Sequence, residues 1–345
     1  MTSDAPAPSD VADPGEVEAE ASLPGPDSTP APSVLLTASR ARVTVDDVVA
    51  IEAFDLDVRG ARLVVVGDGS PLVALLGAYP LGLAYGAALA AQGEPASTSG
   101  HARLAGGSMT LLGSDVAARA HVDRVGAAPF EPPLTGDVTL LEWITEAAKL
   151  ALGSLGRTSR AEIRGRVNEV LTRAQLGGLA RTKLAALPRG ARRALVLAQA
   201  ALARPAIAIA ELPLAGLDPA EAAPVLSAFE ALFGDGPSIV SVGRLDASSP
   251  EYGLVRRADA VAAFTRAELA YVGPPEGLTS KGRLYRLTIR SNADPLRQAL
   301  ARDGLELSGG PERFSMALPE GKGPTDVLVA AHAVRASVVE IVPVM

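Results

Sequence analysis

From residue 34 to residue 58, apolar and polar positions alternate in pieces, the two-residue period of half-buried strands, and predict an antiparallel pair. Gly60 turns the chain into Ala61-Arg62-Leu63-Val64-Val65-Val66, whose apolar stretch predicts a strand covered on both faces. It runs into Gly67-Asp68-Gly69-Ser70, a turn, and then an apolar helix over residues 71–79. Strand, glycine turn and helix is a layout in which backbone N–H groups can hold a phosphate. In the middle of the chain the period lengthens to that of helices. Thr139-Leu140-Leu141-Glu142 and Ser159-Arg160-Ala161-Glu162 have the spacing of capping boxes, each ahead of an apolar-periodic segment. The second helix places Ile163, Val167, Val170, Leu171 and Ala174 on one face and is expected to stop at Gly177-Gly178. Trp143, the single tryptophan, falls in the first and reads as a core or helix-packing anchor.

A further helix is expected over residues 189–204, followed by Ala206-Ile207-Ala208-Ile209-Ala210, a second strand buried on both faces. Residues 238–242 read as another short strand, and residues 260–264 with 269–272 as a hairpin. After Gly277 the pattern restarts. A strand at 284–290 precedes a helix opened by Asp294-Pro295. Residues 305–307 and 313–318 suggest a hairpin around Gly309-Gly310, then a helix over 325–335 and a last strand at 338–342. That β-α-β-β-α-β order is the ferredoxin-like arrangement, here expected as an accessory module over residues 283–345.

Composition narrows the field. Residues 1–32 hold seven prolines, seven acids and no base, and predict a disordered acidic tail. With 39 acids and 32 bases in the whole chain, removing that tail leaves 32 of each, a neutral body with no broad electrostatic footprint for nucleic acid. The absence of cysteine excludes disulfides and thiolate chemistry. His101, His121 and His332 lie too far apart to form a metal motif, so no metal site is expected. No secretory signal opens the sequence. Residues 69–93 are free of charge and long enough to span a bilayer, but they contain Pro71 and Pro80 and are mostly Ala and Gly. They read as a buried helix and loop, not a membrane span.

The segment Arg204-Pro205-Ala206-Ile207-Ala208-Ile209-Ala210-Glu211-Leu212-Pro213-Leu214-Ala215-Gly216-Leu217-Asp218-Pro219 resembles the Walker B and D-loop region of ABC transporter ATP-binding subunits. The resemblance covers residues 34 to about 278 and is nearest the ABC-2 exporter and gliding-motility type. It implies an α/β fold: an ABC-type P-loop nucleotide-binding domain over residues 33–278, with a helical subdomain at about 137–188, ahead of the ferredoxin-like α+β module. It also implies an ATP hydrolase, and here the sequence departs from the family at station after station. Aligned without gaps on Gly67, the phosphate loop Gly67-Asp68-Gly69-Ser70 continues into Leu72, Val73 and Ala74, where the pattern needs Gly, Lys and Ser or Thr. No lysine precedes Lys149. Glu211 and Leu212 stand for Asp and the water-polarising Glu, Phe130 for the glutamine after a proline, and Gly243 for the switch histidine. The signature that grips the partner's nucleotide reads Leu187-Pro188-Arg189-Gly190-Ala191. Gly216-Leu217-Asp218-Pro219, the dimer-interface turn, is kept.

Losing a positioned general base costs about 10²–10⁴-fold, and each hydrogen bond to a charged group contributes roughly 1.5–3 kcal/mol. With several such groups replaced, no ATPase activity and no cofactor are expected. The leading expectation is a degenerate subunit serving as structural or regulatory partner of a second ABC ATPase subunit or a membrane permease. It would be cytoplasmic, peripheral at the inner membrane face, without its own membrane span and without nucleic acid. Two alternatives stay open: a divergent ATPase that uses ATP and magnesium only with a competent partner, and an interaction scaffold unrelated to transport. Glu211 could ligate a metal or simply cap its strand. Asp218 could report across a dimer or form an Asx-turn ahead of Pro219. Arg189, Arg192 and Arg193 could bind an anion, or form a solvated helix face or subunit interface.

Overall fold

The structure, a computed structural model, describes residues 34–80, 100–118, 124–130, 132, 134, 137–156, 159–243, 249–265, 267–279, 283–310, 312–319 and 321–343. The acidic tail, His121 and most of the uncharged stretch after Pro80 lie outside these residues.

Strands β1 (Val34–Val45) and β2 (Val48–Arg59) form the expected antiparallel pair. The strand β4 (Ala102–Leu111) adds to the other side of β1, and β5 (Ser114–Asp115) follows it. Sequence reasoning did not anticipate β4. Its Gly106-Gly107 pair and small residues have little intrinsic strand preference, and β1 supplies the template. The central sheet has the order β10-β9-β3-β8-β7-β6, from β3 (Arg62–Gly67), β6 (Val125–Ala128), β7 (Ile207–Ala210), β8 (Ser238–Val242), β9 (Ala260–Thr265) and β10 (Glu268–Gly273). All neighbours are parallel except the β9–β10 hairpin.

The apolar strands are covered on both faces, and their alternation sorts one sheet into two cores. Val64, Val66, Ala208, Ala210, Val240 and Val242 point into a core shared with the helices. Leu63, Val65, Ile207, Ile209, Ile239 and Phe264 point the other way, towards β1, β2 and the helix α1 (Ser70–Gly77). On the helix side lie α2 (Leu140–Gly153), α3 (Arg160–Arg173), α4 (Arg189–Ala201) and α5 (Pro219–Phe233). Thr139 makes the full capping box with Glu142. At Ser159 only half of the box forms: its hydroxyl accepts from the Glu162 N–H and is itself bonded to the Glu162 carboxylate, which leaves the Ser159 N–H out. α3 ends at Arg173, before the glycines, which instead make a 3₁₀ turn over Gly177–Leu179. Trp143 packs against the helix-side core and donates its indole N–H to Gln199 at 3.2 Å.

The C-terminal elements are β11 (Arg283–Ser291), α8 (Ala293–Arg302), β12 (Ser308–Gly309), β13 (Arg313–Leu318), α9 (Pro324–Ala333) and β14 (Ser337–Pro343), after short helices α6 (Tyr252–Val255) and α7 (Pro275–Thr279). Their antiparallel order β12-β13-β11-β14 and their chain order are those of the ferredoxin-like arrangement. The first hairpin strand is displaced: Leu305 and Leu307 are buried but unpaired, and only Ser308–Gly309 joins the ladder. Glu268 on β10 ties this sheet to the central one, accepting from Arg286 and from Arg313 (2.9 Å). Among the described residues no helix is long and apolar enough to cross a membrane.

Candidate functional site

In a parallel sheet the crevice beyond the strand C-termini is where ligands bind, and the sequence-predicted stations gather there. β3 and β8 end side by side, the Gly67 N–H donating to Gly243 O at 3.2 Å and the Asp68 N–H to Phe264 O at 3.1 Å. β3 ends at Gly67 and α1 begins at Ser70, so only Asp68 and Gly69 separate strand from helix. Gly67 has φ +77°, and a Cβ there would sit 2.4 Å from the Phe264 carbonyl. Gly69 is pressed against Val65. These glycines let a tight turn fold back on its own sheet. A phosphate loop holds its ligand with backbone N–H groups; here Pro71 has none, and those of Leu72 and Val73 donate to Gly69 O at 3.1 and 3.2 Å. Leu72, Val73 and Ala74 are not in the turn at all. They lie within α1 at 0%, 0% and 1% exposure, facing the core.

Glu211, immediately after β7, is 3% exposed. Its N–H donates to Ala128 O at 2.9 Å, which continues the β6–β7 ladder. Its carboxylate accepts the Phe130 N–H at 3.0 Å, with the Ser70 hydroxyl and the Arg193 guanidinium close by. Arg193 is 8% exposed and stacks over the Phe130 ring at 3.9 Å. The Tyr79 hydroxyl is fully buried beside the carboxylate without settling into hydrogen-bond geometry. Burial raises the Glu211 carboxyl above its ordinary range, and the Phe130 N–H, Tyr79, Ser70 and Arg193 act against that rise. Burial, and then the neighbouring Glu211, raise Tyr79 well above the usual phenol range.

Leu212 has φ +45°, with its N–H donating to Ser241 Oγ at 3.0 Å. Its side chain reaches towards Gly243, 3.8 Å from where a Cβ would be. Neither Leu212 nor Gly243 brings an ionisable side chain to these strand ends.

The signature and dimer-turn residues lie together at the start of α4 and α5. Leu187 is buried, Pro188 caps α4 without a side-chain bond, and Arg189 is exposed. Arg189 lies beside Gly216, which takes φ +70°; Ala191 is half-buried. Gly190 sits where a Cβ would be 2.8 Å from the Glu221 carbonyl, so it permits close packing of α4 on α5. Leu217 is buried, and Asp218 is the N-cap of α5, accepting from the Glu221 N–H at 2.8 Å with Pro219 in the first turn. The arginines divide. Arg192 donates to the carbonyls of Leu187 (3.2 Å) and Ala185 (2.7 Å), whereas Arg193 is buried over the Phe130 ring, so the solvated-face reading fails for it. The signal was present, since Arg193 falls on the stripe Gly190, Ala194, Leu197, Ala201 that α4 buries. Among the described residues no group of three His, Cys, Asp or Glu side chains could hold a metal.

This sheet order, turn and helical layer define an ABC-type nucleotide-binding-domain fold. The chain is 16% identical, at a TM-score of 0.51, to a solved ATP-binding subunit of an ABC transporter, covering 86% of this chain and 98% of that one. It has a TM-score of 0.53 to a nucleotide-free ATP-binding cassette from an ABC transporter, at 13% identity, covering 70% of this chain and 91% of that one. CbiO1 of Clostridium perfringens, described as part of the ABC transporter complex cbiONQ, gives 0.51 at 14% identity, covering 71% of this chain and 90% of that one. By sequence the chain is 28% identical over 324 residues to the phosphonates import ATP-binding protein PhnC of Anaeromyxobacter dehalogenans, covering 90% of this chain. It spans 60% of that relative's length. No family model matches the sequence. The chain thus shares its fold with solved ABC transporter ATP-binding subunits and is similar in sequence to a phosphonates import ATP-binding protein.

Proposed function

We propose that this protein is a non-hydrolysing ABC ATP-binding-subunit homologue that acts as a structural or regulatory partner in a transport complex. The observation that carries the reading is the two-residue turn between β3 and α1, with Val73 and Ala74 buried in the helix. Lysine and hydroxyl cannot be supplied from those positions, and the residues present do not fit a magnesium nucleotide. The Glu211 carboxylate, where such a site would hold its metal, is already engaged by Ser70, the Phe130 N–H and Arg193. Leu212 and Gly243 offer nothing to orient water. The preserved turn at Gly216-Leu217-Asp218-Pro219 and the names of the relatives support a partner, a second ATP-binding subunit or a permease. Exporter or importer is a finer choice: the sequence resemblance leans to the exporter type, and the curated relative is named for import.

The test is titration of the full-length protein with a fluorescent ATP analogue and magnesium, together with an assay of phosphate release. Absence of saturable binding and turnover is the expected result. Magnesium-dependent turnover by the isolated protein would sink the proposal. Binding and turnover that arise only with a co-purified partner subunit would transfer the case to the divergent ATPase.

A further inference from the structure

Away from the strand ends, a cleft of about 610 Å³ opens between β1, β2 and β10 on one side and the helix-free face of the C-terminal sheet on the other. That volume lies in the range of small-ligand sites. Its walls carry five guanidinium groups, from Arg40, Arg42, Arg286, Arg290 and Arg313, and five carboxylates, from Glu52, Asp55, Glu268, Glu312 and Glu340. Several are spoken for. Arg286 and Arg313 share Glu268, Arg42 pairs with Glu52 at 3.5 Å, and Glu340 accepts the Thr288 hydroxyl at 3.3 Å. Among the described residues, Arg40, Arg290 and Glu312 have no side-chain partner, and all three are exposed.

Arg40 is placed with effort. It has φ +48° within an irregularity of the β1–β2 ladder between Ala38 and Ala41. Such a backbone is unfavourable in a residue that is not glycine, and persists only where its surroundings dictate it. Here they do. The Arg40 N–H is taken by the Asp55 carboxylate at 2.9 Å. From β4, Gly107 at φ +72° approaches so closely that a Cβ would lie 2.3 Å from the Ser39 and Arg40 carbonyl oxygens. Bulges of this kind re-aim a side chain next to a site. Nothing in the strand pairing itself requires an arginine there.

We propose that this cleft binds a small zwitterion, a molecule of the amino-acid or short-peptide class. A guanidinium fork matches a carboxylate with two parallel bonds, and Arg40 and Arg290 are the forks left open. Glu312, with Asp55 beside Arg40, provides the counter-charge for an ammonium group. A simple anion would gain the arginines but face the five carboxylates, and a simple cation the reverse. A ligand with both charges meets a balanced wall with balance. The cleft shares no residue with the Glu211 cluster, so the proposal stands apart from the reading of the nucleotide site.

The experiment is thermal melting and calorimetric titration of the full-length protein at fixed ionic strength. The probes are an equimolar mixture of the twenty amino acids and, separately, glycylglycine. Acetate, methylammonium and inorganic phosphate serve as single-sign controls. A saturable rise in melting temperature with a zwitterionic probe and none with the controls is expected. Arg40→Gln and Arg290→Gln should each weaken the response roughly tenfold, the loss of one or two charged hydrogen bonds. Glu211→Gln should leave it unchanged. No saturable response, an equal response to acetate or phosphate, or full retention in both arginine variants would each overturn the proposal.

Discussion

At the end of β7 a carboxylate is held where water scarcely reaches it, and its proton is the most informative one in the molecule. Burial raises Glu211 above its ordinary 4.5, so the folded chain keeps this proton at pH values where the unfolded chain has released it. Stability then falls as pH rises from about 4.5 through the folded-state value, because the native form binds more protons over that window. Glu211→Gln cannot ionise and lacks this loss. In urea unfolding from pH 4 to pH 7, the variant should gain on the wild type as pH rises, whatever its offset at pH 4. A difference that stays flat would mean the carboxyl is not raised. Arg193→Met should cost about 2 kcal/mol, the loss of a desolvated guanidinium stacked over the Phe130 ring. An Arg193→Met variant with the wild-type urea midpoint would show that the stacking contributes nothing. The sequence displayed Glu211 openly, as the lone acid at the end of an apolar strand. It displayed Arg193 only through the helix period, and Ser70 and Tyr79 as partners not at all, because side chains from α1 and α4 meet this carboxylate only once the sheet has formed.

The elements show what the retained motifs still do. Gly190 survives from a signature that otherwise departs from the family, and the fold uses it to bring α4 against the Glu221 carbonyl. Gly190→Ala should therefore destabilise by about 1–3 kcal/mol, the usual cost of overpacking, as read from a shift in the urea midpoint. Tolerance of alanine would show the helices free to part. Asp218 caps α5, so Asp218→Ala should cost about 1 kcal/mol and Asp218→Asn much less. If Asp218→Asn disrupts partner binding while leaving stability intact, the turn has a role beyond the cap. Strands whose two faces are both buried were legible as apolar runs; β3, β7 and β8 fall within a residue of their expected bounds. β4 was not legible, because its small residues pair through a template that the sequence does not announce. The second capping box was half right, since Ser and Glu at that spacing can bond to each other as well as to the backbone.

Across the whole molecule, the proposed function turns on whether a single side chain could make the β3–α1 turn bind a nucleotide. If only side chains were missing, restoring a lysine would help. Val73→Lys would instead place an ammonium at a position with 0% exposure inside α1. It should destabilise by about 4 kcal/mol, as burial of lysine does, and yield no gain in nucleotide binding by fluorescence titration. Nucleotide binding by that variant would return the turn to the class of repairable loops. The sequence by itself determined the architecture: apolar runs of strand length, helical stripes and glycine turns in a fixed order leave few ways to bury so much apolar surface. It also shows which residues stand at each position that the resemblance singles out, because residue identity needs no coordinates. Only the tertiary structure decided that α1 starts at Ser70, one residue before the expected helix, and that Arg193 and Ser70 lie beside Glu211. The reason is that a helix start and a side-chain partner depend on which surfaces pack together, and an ungapped alignment carries no information about packing.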